Sequence, residues 1–243
     1  MRLTVLGNNG PYPAAGGACS GYLLQDDGIN ILLDCGNGVL SNLQKYIGID
    51  EIDAVILTHL HSDHMSDMMV LRYAIQTRPL RGLPSSIINV YAPDEPEEEF
   101  NRLEIKDAYK LHVINPRKLL TIGNLKLSFL RMNHPYKCFG VSVDNGSRRF
   151  VYTGDTAVDS TLVSFFRNAD ALLVDAGLIT KFAVGNAVHM TAAESGKLAA
   201  EAGAKRLILT HFLPESDQAG QLAEAKKYFD NTVTSELLAS YEI

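Results

Sequence analysis

Cysteine is scarce in this chain. Cys19, Cys35 and Cys138 are the only three, and no pair has C-x-x-C spacing. An odd, unpaired set argues against a disulfide frame and reads as reduced thiols. Positive charge is short as well: 22 Lys and Arg against 28 Asp and Glu leave −6. That balance is the opposite of the basic face of a general nucleic-acid binder. No apolar run approaches the ~20 residues that cross a bilayer, and no leader pattern precedes the strand-like "RLTVLG". Low-complexity tracts are missing too. The expectation is a soluble cytoplasmic protein with no membrane partner. With 243 residues and 46% hydrophobic content, the chain fits one large domain over 1–243.

Short β-branched runs alternate with helical stretches. Strands are expected at Arg2–Leu6, Gly21–Leu24, Ile29–Asp34, Ala54–Thr58, Ile87–Tyr91, Leu125–Met132, Phe139–Asp144, Arg149–Thr153, Ala171–Asp175, Arg206–Thr210 and Thr232–Leu237. Helices fit Val39–Ile47, Asp67–Gln76, Ser160–Phe166, Ala192–Ala202 and Gln218–Phe229. Continuous apolar strands such as "AVIL" and "ALLV" suit sheets covered on both faces, hence α/β layers. "VDNGSRR" (143–149) reads as an Asn-Gly hairpin turn of type I′. There is also a repeat. "ILLDCG" (31–36) precedes "VILTH" (55–59), as "LLVDAG" (172–177) precedes "LILTH" (207–211). Such self-similarity points to a pseudo-twofold core, with His59 and His211 at the same end of the molecule.

"THLHSDH" (58–64) sets His59, His61, Asp63 and His64 within six residues directly after a strand. A strand-to-helix loop lets all four point into one cavity. Imidazole with carboxylate suits Zn²⁺, with Mn²⁺ or Fe²⁺ as alternatives. A solvated polar turn has no need of three histidines. Four groups in one loop do not close two metal shells, so later strands should supply more. His134, Asp155 and His211 each follow an apolar run, at the strand ends where α/β folds place their active sites.

These motifs resemble those of the metallo-β-lactamase fold superfamily: H-x-H-x-D-H at 59–64, a later His134, Asp155 in "TGDT" and His211 in "LTHF". The likeness runs the length of the chain. "LGNNGPYPAAGGACSGYLL", "LLDCGNGV" and "HMTAAESGKLAAEAGAKRLILTHF" are most similar to its ribonuclease Z-like branch. The resemblance implies a four-layer αβ/βα sandwich holding two divalent metal ions, Zn²⁺ first. By position, His59, His61 and His134 would hold one and Asp63, His64 and His211 the other, with Asp155 bridging. Two such ions lower the pKa of a shared water and give a hydroxide nucleophile at neutral pH, with Asp63 among the catalytic residues. His61 stands where redox-active di-iron relatives carry Glu, which favours hydrolysis.

His189 sits just before a Thr191–Glu194 capping box, hence at the mouth of a helix. In the family branch the matching His of an H-x-T motif acts at the scissile phosphate. Its carboxylate partner, usually Glu, falls here on Asp175. A His–carboxylate pair suits a general acid that protonates the leaving alkoxide. A helix N-terminus disfavours the imidazolium, but Asp175 and a bound phosphate favour it, so His189 is expected to be protonated in the complex. Asp175 is one methylene shorter than Glu, which leaves its reach open.

Other residues carry weaker signals. Asp34 either orients a metal-bound imidazole or forms a turn before Gly36. Cys35 should be buried, His112 structural or on the surface, and "GNNGPYP" a tight turn. Asp67 replaces the Gly usual in "DHxxGL". Arg72, Arg78, Arg81 and Lys137 are candidates to contact one small phosphate. Between Asp94 and Glu99, five of six residues are acidic, which would repel a phosphate backbone, although a solvated turn also accounts for them. The basic arm by which ribonuclease Z recruits transfer RNA has no counterpart, so folded tRNA is not the expected substrate. The leading reading is a metal-dependent phosphodiesterase acting on small or short single-stranded phosphodiesters. A lactonase- or thioesterase-type hydrolase and a non-catalytic metal-binding protein stay open as alternatives. The resemblance alone implies a homodimer.

Overall fold

The computed structural model describes residues 1–182 and 187–243. The first half contributes strands β1 (Arg2–Gly7), β2 (Gly21–Asp26), β3 (Ile29–Leu33), β4 (Ala54–Ile56), β5 (Ile88–Ala92) and β6 (Tyr109–Val113). The second contributes β7 (Leu120–Ile122), β8 (Leu125–Arg131), β9 (Phe139–Asp144), β10 (Arg149–Tyr152), β11 (Ala171–Asp175), β12 (Leu207–Thr210), β13 (Thr232–Thr234) and β14 (Ser240–Glu242). Between them lie helices α1 (Val39–Leu43), α2 (Ser62–Met65), α3 (Met68–Thr77), α4 (Glu97–Asn101), α5 (Thr161–Phe166), α6 (Ala192–Glu201) and α7 (Gln218–Lys226).

The strands form two sheets of seven, ordered β14-β1-β2-β3-β4-β5-β6 and β7-β8-β9-β10-β11-β12-β13. Strand alternation assigns the layers. Leu24, Ile31, Leu33 and Ile56 join Leu127, Val141, Phe150 and Leu173 in one core between the sheets. Their neighbours Leu23, Leu32 and Val55 turn outward onto Val39, Leu43, Met68 and Leu71 of α1 and α3. On the far side, Leu172, Val174 and Leu209 pack on Leu162, Phe166, Leu198 and Ala225 of α5, α6 and α7. The four layers are the expected αβ/βα sandwich. Each fully buried side chain of this kind stabilises by roughly 1.5–3 kcal/mol, so the shared core fixes how the two sheets' ends align. Among the described residues no helix is long and apolar enough to cross a membrane.

Strand pairing corrects the repeat. Each sheet runs through three antiparallel and then three parallel pairings, starting from β14 in one and β7 in the other. The twofold partner of β3 is therefore β10, and that of β4 is β11. Likeness between "ILLDCG" and "LLVDAG" misaligns them by one strand, because buried parallel strands share one apolar vocabulary. The consequence for the site survives: His59 and His211 lie 3.6 and 3.4 Å from the same carboxylate oxygen of Asp155.

The hairpin differs as well. Positive φ occurs at Gly146 but not at Asn145, so the type I′ turn is not formed. Instead Asn145 Oδ1 accepts the backbone N–H groups of Ser147 and Arg148 across a longer loop. The strands β6, β7 and β14 lie at or next to sheet edges, where half-exposed residues carry no apolar run to read.

Candidate functional site

Asp34 and His211 leave β3 and β12 with φ of 56° and 63°. A non-glycine residue in that region is strained, and the gain lies in where the side chains end. The Asp34 carboxylate is fully buried. It accepts the Thr58 N–H at 2.7 Å, the Thr58 hydroxyl at 2.8 Å and the Tyr152 hydroxyl at 2.7 Å, and meets His64 Nδ1 at 2.8 Å. It is thus far more than a turn-former. The loop "GNNGPYP" closes over the other side: a Cβ on Gly10 would stand 1.9 Å from His211 Nε2, so only glycine fits there.

Tracing the ring protons shows what the cluster is for. His64 donates from Nδ1 to Asp34, so Nε2 is the nitrogen turned into the cluster, with a lone pair to offer whenever the ring is neutral. Thr58 spends its hydroxyl proton on Asp34, so His59 Nδ1, 3.2 Å away, is the donor and its Nε2 is bare. His134 Nδ1 faces the Val188 carbonyl at 3.3 Å, which again bares Nε2. His61 Nδ1 then stands 2.9 Å from His59 Nε2 and 3.3 Å from His134 Nε2. Three nitrogens share at most one proton. Nearby, His64 Nε2 and Asp155 Oδ1 are buried without a hydrogen-bond partner. Such orphans are costly unless a cation takes their lone pairs. His59, His61, His134 and Asp155 form one compact donor group, and Asp63, His64 and His211 another. Nitrogen and carboxylate donors of this kind fit a divalent metal ion.

The charges agree. Asp34, Asp63, Asp155 and Asp175 are all buried in this small region. Burial alone would push Asp155 up, but His211, His64 and His59 hold it well below the ordinary carboxylate range. His59, His61 and His134 are each driven down, chiefly by burial, and offer neutral rings. His64 and His211 go the other way. Burial opposes their charge, but Asp155 and Asp63 raise both. This half of the cluster demands positive charge, from protons or from a cation.

Beyond it stands His189, with Nδ1 2.8 Å from Asp175 Oδ2. The short Asp175 side chain therefore reaches. Its Oδ2 also accepts the Thr156 N–H, and its Oδ1 the Gly177 N–H, which locks the carboxylate. Burial lowers the affinity of His189 for a proton, but Asp175, with help from Asp155, overrides it and raises the pKa to about 9. Nδ1 is committed, so Nε2 is the ring atom left for other work. The capping box holds as expected: Thr191 Oγ1 accepts the Glu194 N–H, and Glu194 Oε2 accepts the Thr191 N–H.

Some expectations change. Lys137 pairs with Asp94 and Glu95 at 2.6 and 2.8 Å, and Arg78 with Asp50 at 2.5 Å. Neither is poised for phosphate, and the acidic run acquires a task in holding Lys137. Asp67 accepts the Leu40 N–H at 2.8 Å and so ties the segment after His64 to α1. His112 stacks on Tyr91 away from the cluster, and Cys35 is fully buried. Residues that sequence reasoning missed include Tyr152, Tyr136, whose ring lies 3.9 Å from that of His61, and Arg131, which donates to the carbonyls of Met132, His134 and Cys138. Tyr152 stood in plain view at the end of an apolar strand, three residues before Asp155.

Comparison with known proteins adds the relatives. Residues 29–212, which include the whole cluster, match the model of the beta-lactamase superfamily domain. The probable metallo-hydrolase YhfI of Bacillus subtilis is 36% identical over 234 residues, 96% of either chain. The crystal structure of that protein, described as having the metallo-beta-lactamase fold, superposes with a TM-score of 0.95 at 34% identity, over 99% of this chain and 98% of that one. Ribonuclease Z of Archaeoglobus fulgidus is 25% identical, covering all of this chain and 98% of its own. Human short-form tRNase Z shares the fold, with a TM-score of 0.77 at 23% identity over 100% of this chain and 99% of that one. The chain belongs to the metallo-β-lactamase superfamily of metal-dependent hydrolases, with ribonuclease Z among its relatives.

Proposed function

We propose that this chain is a binuclear metal-dependent phosphodiesterase acting on small or short single-stranded phosphodiesters. The observation that carries the reading is the locked His189–Asp175 pair beside two donor groups, with Asp155 in the first and within 3.3 and 3.4 Å of His64 and His211 in the second. His59, His61 and His134 would hold one divalent ion and Asp63, His64 and His211 the other, with Asp155 between them and Zn²⁺ the first choice. Bound there, the ions would supply an acidified water and screen the phosphate charge.

The chain's own residues do the rest. Asp34 and Thr58 fix the tautomers of His64 and His59, and the Val188 carbonyl fixes that of His134. Hydrolysis forms a bond from water oxygen to phosphorus and breaks the bond to the leaving oxygen. His189 donates the Nε2 proton to that oxygen, while Asp175 stabilises the imidazolium beforehand and keeps Nδ1 engaged. The proton lost by water returns to His189 through solvent. Such assistance is typically worth 10²–10⁴-fold. A thioester's thiolate needs less help at its leaving atom, so the pair argues against that class, whereas a lactone's alkoxide also takes a proton and is separated by the assay below. Ribonuclease Z and tRNase Z are phosphodiester-cleaving relatives in name, which supports the same class without extending it to tRNA.

The test is a side-by-side assay of bis(4-nitrophenyl) phosphate, a lactone and a thioester, with bound metal measured in the same preparation. Turnover of the phosphodiester, lost in Asp63→Ala, is expected. Turnover of the lactone alone would replace this reading with the carboxylic-ester one, and no turnover by fully loaded protein would leave a metal-binding protein.

A further inference from the structure

A cavity of about 570 Å³ opens beside His134 and His189. That is the size of small-ligand pockets, which run roughly 300–1,000 Å³. Pro135, Ala157, Val158 and Val188 give it apolar walls, and Asn133 and Glu194 add an amide and a carboxylate. Val158 and Val188 are partly exposed, as a wall facing a guest must be. Thr191 donates both its N–H and its hydroxyl to Oε2 of Glu194, which leaves the Oε1 lone pairs to accept from another donor.

Lys and Arg are missing from its lining among the described residues, and the His189 imidazolium is matched by the buried carboxylate of Asp175 at 2.8 Å. The sequence between Ile179 and Met190 carries a single Lys or Arg, Lys181, and that residue lines a different cavity. Lys137, the nearest basic residue in the His134 loop, is paired with Asp94 and Glu95. With His189 and Asp175 balancing one another, the charge left over in the described wall is the negative one of Glu194.

We propose that this cavity is the leaving-group subsite and that it selects an uncharged or cationic alcohol. The assignment rests on His189 being the acid, because the group receiving its proton must lie against its ring. A hydroxyl- or amine-bearing organic group finds acceptors in Asn133 and Glu194 and apolar surface between Pro135, Val158 and Val188. An alcohol that carries a second phosphate or a carboxylate meets Glu194 with no Lys or Arg in the described lining to offset the repulsion, since the His189 charge is matched by Asp175 and directed at the leaving oxygen. The preferred substrate is therefore a single phosphodiester with a compact leaving alcohol, not an internal link of a polynucleotide.

Three methyl aryl phosphodiesters test this, with the phenol carrying a para CH₂OH, CH₂NH₃⁺ or CH₂COO⁻ group. The methylene insulates the phenol, so their chemical reactivity is nearly equal. The kcat/KM of the first two should exceed that of the third by roughly tenfold at low salt. Val158→Lys should shrink or reverse that ratio, and Glu194→Gln, which keeps the cap's hydrogen-bonding atoms, should shrink it too. Equal turnover of all three by the wild type, or a ratio unmoved by Val158→Lys, overturns the subsite and leaves the phosphodiesterase reading standing. No turnover of any of them overturns both.

Discussion

Tyr152 of one sheet donates its hydroxyl to Asp34 of the other at 2.7 Å, and the same Asp34 oxygen faces His64 Nδ1 at 2.8 Å. The two halves of the sandwich are thus joined through the groups that orient a candidate metal ligand. Groups that orient a metal ligand commonly govern 10–100-fold in metal affinity. Asp34→Asn is expected to weaken metal binding in about that range, read by metal titration against a competing chelator. Tyr152→Phe should do so by a smaller factor, with the fold intact by circular dichroism. Unchanged affinity in both variants would make Asp34 a purely structural residue.

Metal loading should release protons. Burial opposes charge on His64 and His211, but Asp155 and Asp63 raise the proton affinity of both rings, and whatever protons they hold in metal-free protein must leave before they become ligands. Calorimetric titration of chelator-stripped protein in buffers of different ionisation enthalpy should show net proton release on metal binding. Release near zero would mean that the carboxylates are balanced in some other way.

His189 sets an alkaline limit. With its pKa raised to about 9, the acid form persists through neutral pH and is lost above that value. For substrates with poor leaving groups, kcat should hold to about pH 9 and then fall. In Asp175→Asn the fall should move towards the ordinary imidazole range near 6.5, because the partner that raises the proton affinity is gone. A nitrophenyl ester, whose leaving group needs no acid, should show no such limb.

Asp67 is expected to cost stability at neutral pH. Burial raises its pKa more than the N–H groups of Leu40 and Gly38 lower it. An acid raised on folding stabilises when protonated and loses that contribution as pH rises through its folded-state value. Asp67→Asn keeps an acceptor for the Leu40 N–H and should raise Tm at pH 7 by roughly 2–4 °C, as about 1 kcal/mol does at this length. The gain should close as pH falls below the carboxyl's raised pKa. A lower Tm at pH 7 would show that the charged cap outweighs its burial.

The contrast between legible and hidden features has a physical basis. His59, His61, Asp63 and His64 were readable because one loop carries them at a density that chance and solvation do not explain. Asp155, His134 and His211 were readable as polar residues ending apolar strands. Asp34's bond to Tyr152 was not, because it spans 118 positions and depends on how two sheets align. The twofold relation was visible but misregistered by one strand, since burial on both faces makes β3, β4, β11 and β12 look alike. Lys137 looked free because the acids that hold it, Asp94 and Glu95, lie 43 and 42 positions away.

The role of His189 is tested most directly by the leaving-group dependence of His189→Ala. Its kcat/KM should be compared with wild type on a methyl alkyl phosphodiester and on a methyl 4-nitrophenyl phosphodiester, at matched metal content. A general acid held by Asp175 requires a loss of about 10²–10⁴ on the alkyl ester and less than about tenfold on the nitrophenyl ester. Equal losses on both would contradict it and return His189 to a packing role beside the α6 cap.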